Sequence, residues 1–354
     1  MMSISDGKDQ QGDMKDRVLC YDIAKGIGII LVIICHIESI PLGIRSYLVT
    51  FHMPVFFVIS GMLMHLTHEA KRPVKELILR KLKHILLPYF IFSLLFPFIN
   101  IFYYNHIGIA DPAALFRAEM IMSVTMTGIS VLWFLPALFF SELIVLVLIK
   151  NTKRPAVELI TVILTASLWP VTILVPIMSL VSRRVIFCSI FVLIGYLIYP
   201  AASFFRKRAA ISFGISAALF IILYFTGRAN DIVDLHYIKL GNIPLYFFNA
   251  LIGSVALLLL SMVTEKTALP FLTVPLSFFG KHSLFIMITH INLYILYAGE
   301  KLAFYTSEMF PTAKGVILNL CAVFYTVLLE ILLILLWEKV KAHGLKLFVS
   351  RNNP

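Results

Sequence analysis

Tyr21-Asp22-Ile23-Ala24-Lys25-Gly26-Ile27-Gly28-Ile29-Ile30-Leu31-Val32-Ile33-Ile34-Cys35-His36 opens the first long apolar run of the chain, and its reading decides the fold. Lys25 and His36 stand eleven positions apart inside that run. Eleven helical steps of ~100° return to within ~20° of the start, with a rise of ~16 Å. The amine and the imidazole therefore share one helix face, separated by about half a bilayer. Ionisable groups at membrane depth are costly, and they mark a site or a pathway.

The rest of the chain extends this pattern. Of its 354 residues, 60% are hydrophobic and 14% charged, against ~45–50% and ~25% in soluble domains. The expected class is an all-α polytopic integral membrane protein. About ten spanning helices are predicted at 20–40, 46–65, 85–104, 130–149, 156–175, 185–200, 209–226, 243–262, 278–298 and 315–337. A β-barrel would show short alternating segments instead. Residues 17–347 read as a single transmembrane domain, with tails at 1–16 and 348–354 and no cleavable signal.

Charge sets the orientation. One alternate set of connections carries Lys71, Arg72, Lys75, Arg80, Lys81 and Lys83, then Lys150, Lys153 and Arg154, then Arg206, Lys207 and Arg208. The other mixes Arg45, Arg117, Arg183, Arg184 and Arg228 with several carboxylates. The positive-inside rule then places both termini in the cytoplasm. It also accounts for the net charge of +11 without nucleic acid. Cys20, Cys35, Cys188 and Cys321 lie in or beside apolar runs with no metal-ligand spacing, so they read as packing residues.

Several side chains suit chemistry. His36 lies near the outer end of the first helix, and His52 opens the second, so an antiparallel hairpin brings them to similar depth. Imidazole exchanges protons near neutral pH. In Gly280-Lys281-His282-Ser283-Leu284, continuing to His290, a cation again precedes a deeper imidazole, although Lys281 and His290 do not share a face. Glu142 and Glu330 are intramembrane carboxylates that either balance Lys25 or stay protonated. The basic stretch from 67 to 84 is either an anchor on anionic headgroups or a grip on a phosphorylated cytosolic substrate. Trp133 reads as an interfacial aromatic or a substrate contact, and Arg183-Arg184 as an anchor or a clamp on an anionic acceptor. P-loop, GxGxxG, HExxH and GxSxG patterns are missing from any supporting context, against nucleotide-driven pumps, dehydrogenases, zinc proteases and α/β-hydrolases.

The first-helix stretch from Tyr21 to His36 resembles the opening helix of the membrane-bound acyltransferase-3 family, which has Arg or Lys, ten residues, then His. Phe51-His52-Met53-Pro54-Val55-Phe56-Phe57-Val58-Ile59-Ser60-Gly61 is similar to that family's second helix. Arg80-Lys81-Leu82-Lys83-His84, Trp133-Phe134-Leu135-Pro136 and the stretch from Gly280 to His290 resemble later family segments. The nearest likeness is to the O-acetylase branch, as in fucose 4-O-acetylase-like proteins. Lys25 stands where many members have Arg, so a planar two-pronged grip is lost there.

The resemblance implies an O-acyltransferase, of acetyl groups in most members, in a bacterial cytoplasmic membrane. Its co-substrate would be acetyl-coenzyme A or another acyl-coenzyme A, with no permanently bound cofactor and no metal. The acceptor would be a sugar hydroxyl of a cell-envelope polysaccharide or its lipid-linked precursor. On that likeness His36 is the general base or part of a proton relay, and His52 or His290 orients it or the acceptor. Lys25 holds the donor, while Arg80, Lys81, Lys83 and Lys281 meet its phosphates. Trp133, Arg183, Arg184 and Glu142 are the expected acceptor contacts. The competing expectation is an exporter or flippase of polysaccharide or lipid-linked sugar, since intramembrane His, Lys and Glu serve a proton-coupled path equally well.

Overall fold

In the computed structural model, residues 18–151, 176–231, 233–267 and 269–352 are described. The helices, in chain order, are α1 Leu19–His36, α2 Leu42–Val49, α3 Pro54–Leu66, α4 Val74–Lys81, α5 Leu87–His106, α6 Pro112–Val124 and α7 Phe134–Asn151. They continue as α8 Pro176–Arg206, α9 Ala209–Arg228, α10 Ile243–Thr267, α11 Pro270–Lys281, α12 Ser283–Asn292, α13 Ile295–Glu308 and α14 Lys314–Asn352. Among the described residues, eight stretches are long and apolar enough to cross a membrane, or nine if α11 and α12 together make one bent span. The expected fifth segment, 156–175, lies outside the described residues, as does the tail 1–16. The other expected tail, 348–354, overlaps the end of α14.

Four segments depart from their predicted outlines. The basic stretch 67–84 is largely helical: α4 runs through a wide π turn at Leu82–Leu86 directly into α5. Pro88 lacks an N–H to offer the carbonyl four residues back, at His84, which is where the ladder widens. The second span breaks into α2 and α3, with Pro54 at the start of α3, where its missing N–H costs nothing. The sixth helix begins well before 185, so Arg183 and Arg184 lie within α8 instead of introducing it. The ninth predicted segment, 278–298, is no single helix. α11 and α12 meet at His282 with a bend of 71°, and the Ser283 hydroxyl donates to the Gly280 carbonyl at 3.0 Å across the break.

Glycines set the closest helix contacts. A methyl group on Gly61 of α3 would lie 1.8 Å from the Val192 carbonyl oxygen of α8, and one on Gly195 of α8 would lie 2.0 Å from the Val58 carbonyl oxygen. α1 and α11 make the same reciprocal contact: Gly26 faces Leu276 and Gly280 faces Asp22, with carbonyl oxygens at 1.9 and 1.8 Å from the added methyl. Small residues let backbones approach this closely where helices associate in lipid. The second contact has a functional consequence, because it fixes Lys281 beside the Lys25 end of α1.

Candidate functional site

α1 and α12 each contribute to two cavities. One, of about 470 Å³, is lined by Lys25, Ser60, Glu69, Arg80, Lys81, His84, Glu142 and Lys281, with apolar Phe56, Phe134, Leu284 and Met287. The other, of about 450 Å³, is lined by His36, Arg45, His52, Trp133, Asp234, His236 and Tyr237, with Met53, Ile291 and again Met287. They are called here the lysine cavity and the histidine cavity. Lys25 and His36 of α1 contribute one residue to each.

The lysine cavity is held by ion pairs. Lys25 pairs with Asp22, one turn back on α1, at 2.9 Å. The Lys81 ammonium is buried between Glu69 at 2.9 Å and Glu142 at 2.7 Å. Arg80 donates to Glu69, and Ser60 donates to the other oxygen of Glu142. The Lys150 ammonium pins the turn beneath them through the Ala70 and Arg72 carbonyls, at 3.1 and 2.6 Å. Four cations and two carboxylates (Glu69 and Glu142) line this cavity, so it keeps a positive excess. Such a chamber attracts anions.

The histidine cavity is organised by imidazole tautomers. His36 Nδ1–H donates to the Val32 carbonyl at 2.8 Å, His52 Nδ1–H to Leu48 at 3.1 Å, and His290 Nδ1–H to Ile286 at 2.7 Å. Each partner lies four residues back, at a carbonyl that can only accept. In the neutral ring this assigns the proton to Nδ1 and leaves Nε2 as the basic atom. The His36 and His290 rings meet edge to face with centroids 5.2 Å apart. His290 is fully buried, and its Nε2 has no hydrogen-bond partner. Its neighbour Thr289 donates to Glu330 at 3.0 Å.

The cavity's outer wall is a platform. His236 lies flat on Trp133, centroids 5.6 Å apart and planes within 9°. Arg184 holds this wall: Nε donates to the His236 carbonyl and Nη1 to the Thr127 carbonyl, both at 2.5 Å, and its guanidinium lies 5.5 Å from the Trp133 ring centre. Burial, reinforced by the Arg184 charge, pushes the His236 imidazole down to about 3, so it is neutral at ordinary pH. Arg45 donates from Nε to the Cys35 carbonyl at 3.0 Å, closing the C-terminal end of α1, and lines the same cavity.

The residues singled out in the sequence separate cleanly. Lys25, Arg80, Lys81, Lys281 and Glu142 line the lysine cavity, and His36, His52 and Trp133 the histidine cavity. His290 lines neither cavity, but its ring meets that of His36. Lys83 is exposed outside both. Arg183 and Arg184 line neither, Arg184 being spent on two backbone carbonyls. Glu142 does not balance Lys25, because Asp22 already does and Glu142 is committed to Lys81. Glu330 is likewise taken by Thr289. Sequence reasoning missed Asp22, Glu69, Arg45, Asp234, His236 and Met287. Asp22 had a visible signal, three residues before Lys25 on one helix. Arg45 follows α1 by nine residues, where its charge reads as an ordinary loop cation; Glu69, Asp234, His236 and Met287 are brought in by the packing of other segments.

A sequence profile of the acyltransferase-3 family, described as the acyltransferase domain, matches residues 18–335. No curated protein and no solved structure matches the chain. The match spans nearly all of the helices above, and the chain belongs to this family of membrane acyltransferases.

Proposed function

We propose that this membrane acyltransferase takes an acyl group, acetyl in the first instance, from acyl-coenzyme A and transfers it to a sugar hydroxyl of a cell-envelope glycan or its lipid-linked precursor. The membrane would be the bacterial cytoplasmic membrane. The lysine cavity faces the cytosol and receives the donor, its phosphates meeting Arg80, Lys281 and Lys25. Lys81 works indirectly: locked between two carboxylates, it holds the cavity wall in shape. The thioester, at the end of the coenzyme remote from the nucleotide, reaches toward the histidine cavity. The acceptor sugar lies there on the Trp133–His236 platform, with Arg45 and Asp234 at its hydroxyls.

In the transfer step the acceptor hydroxyl gives its proton to His36 Nε2, and its oxygen bonds to the acyl carbon. The carbon–sulfur bond then breaks, and the coenzyme leaves as a thiol after taking up a proton. His290, with its own Nε2 unpartnered beside the His36 ring, is a second acceptor for that proton. One observation carries the reading above all: the i−4 carbonyl bonds set His36 and His52 with Nδ1 occupied and Nε2 basic, in one cavity large enough for a sugar.

The test is a proteoliposome assay with radiolabelled acetyl-coenzyme A and candidate glycans. Acceptor-dependent release of free coenzyme A, abolished in His36→Ala while the protein still folds, is the expected result. A fully active His36→Ala variant removes the assignment of the base. Glycan flux across the liposome with no release of coenzyme A would replace the transferase with an exporter.

A further inference from the structure

Among the described residues, Met287 is the one side chain common to the linings of both cavities. It is 2% exposed. The bend at His282 turns α12 so that one face runs from chamber to chamber: Ser283 and Leu284 line the lysine cavity, Met287 both, and Ile291 the histidine cavity. Elsewhere the boundary falls between residues within one helical turn of each other in sequence. Phe56 lines the lysine side and Met53 the histidine side; Phe134 lines the lysine side and Trp133 the histidine side.

We propose that Met287 is the septum between the two cavities, and that its side chain sets the length of acyl group able to pass from one to the other. This deepens the acyl-transfer reading and rests on it for the identity of what passes. The other walls of the boundary are wedged. Phe134 meets Phe56 and Phe57 edge to face at 5.9 and 5.1 Å, and Trp133 is stacked on His236. Met287 makes no polar bond that swinging would break, and a thioether side chain with three rotatable bonds adapts its shape readily. The movable element at the boundary is therefore this one side chain. A short acyl group on a slender thioester arm needs only its displacement. Each further methylene adds volume at the narrowest point, where close packing resists it.

Two measurements on the full chain in sealed proteoliposomes test this. In the first, wild type, Met287→Ala and Met287→Trp are assayed with acetyl-, butyryl- and hexanoyl-coenzyme A. Met287→Ala is expected to raise the hexanoyl-to-acetyl ratio of kcat/KM at least tenfold, and Met287→Trp to lower acetyl transfer at least tenfold while acetyl-coenzyme A binding, measured by calorimetry, stays within threefold. An unchanged chain-length profile in Met287→Ala, with full transfer by Met287→Trp, overturns the proposal. The second is osmotic water permeability, which needs no substrate: Met287→Ala is expected to exceed wild type and Met287→Leu to match it. If wild type transfers no acyl group from any donor, the acyl-transfer reading fails and permeability alone decides. A rise confined to Met287→Ala then upholds the septum, and no rise overturns it.

Discussion

The two cavities lie at opposite ends of the same helix, yet they are built on opposite electrostatic terms. Around the lysine cavity full charges are held in pairs, Lys25 with Asp22 and Lys81 between Glu69 and Glu142. Around the histidine cavity His36 and His52, and His290 beside His36, have their Nδ1 protons committed to helix carbonyls four residues back. Charge anchored by a partner suits binding, because it persists and cannot leave. An uncommitted basic nitrogen suits proton transfer, because its charge changes during the step. What separates the two halves is which atoms are left without a partner, more than which residue types they contain.

The largest effect that would break this division is on turnover. His36→Ala should lower kcat by about 10²–10⁴-fold, the usual contribution of a positioned general base, with acetyl-coenzyme A affinity unchanged by calorimetry. Equal losses in both quantities would mean that the halves are not functionally separate. Next comes stability. The Lys81, Glu69 and Glu142 side chains are 6%, 4% and 9% exposed, and Lys81→Met leaves the buried Glu142 carboxylate with no cation and Glu69 with Arg80 alone, a loss of about 3–5 kcal/mol. Thermal unfolding in detergent should show it, and Glu142→Leu added to Lys81→Met should recover part. A melting point unmoved by Lys81→Met would deny the lysine cavity its ion-pair frame.

Smaller effects sharpen the contrast. Lys281→Gln should raise KM for acetyl-coenzyme A by about tenfold, the scale of one charge-assisted contact to phosphate, and leave kcat within twofold. A fall in kcat instead would place Lys281 in the chemistry. The smallest effect concerns pH. The His236 imidazole lies at about 3 in the fold against an ordinary 6.5, so the folded wall disfavours its protonation. Its stability contribution is present above pH 6.5 and is lost as pH falls toward 3. Amide protection factors across 233–240, taken relative to the intrinsic exchange rate at each pH, should fall over that interval, and His236→Gln should flatten the change; an equal fall in both would assign it to another group.

The site was half legible from the chain. The Lys25–His36 spacing placed an amine and an imidazole on one face of α1, and both do line cavities. His290 and His36 come from helices far apart in sequence, and only packing brings their rings to 5.2 Å. The roles expected for Lys81 and Arg184 were changed by neighbours. A cation in sequence looks available for substrate, whereas in the fold Lys81 faces two carboxylates and Arg184 two carbonyls. Partner choice is a three-dimensional property, and no spacing rule reaches from 81 to 142 or from 184 to 236.

Composition and apolar run length by themselves determined that this chain is a polytopic helical membrane protein, because backbone polar groups in lipid must be satisfied within each helix and a helix needs a set number of apolar residues to cross. Local motifs carried the family. Tertiary structure alone decided where α11 and α12 part, which charges are neutralised, and that one methionine stands between two chambers. These depend on backbones approaching at Gly26, Gly61, Gly195 and Gly280, and contact between distant segments is written in no single stretch of the chain.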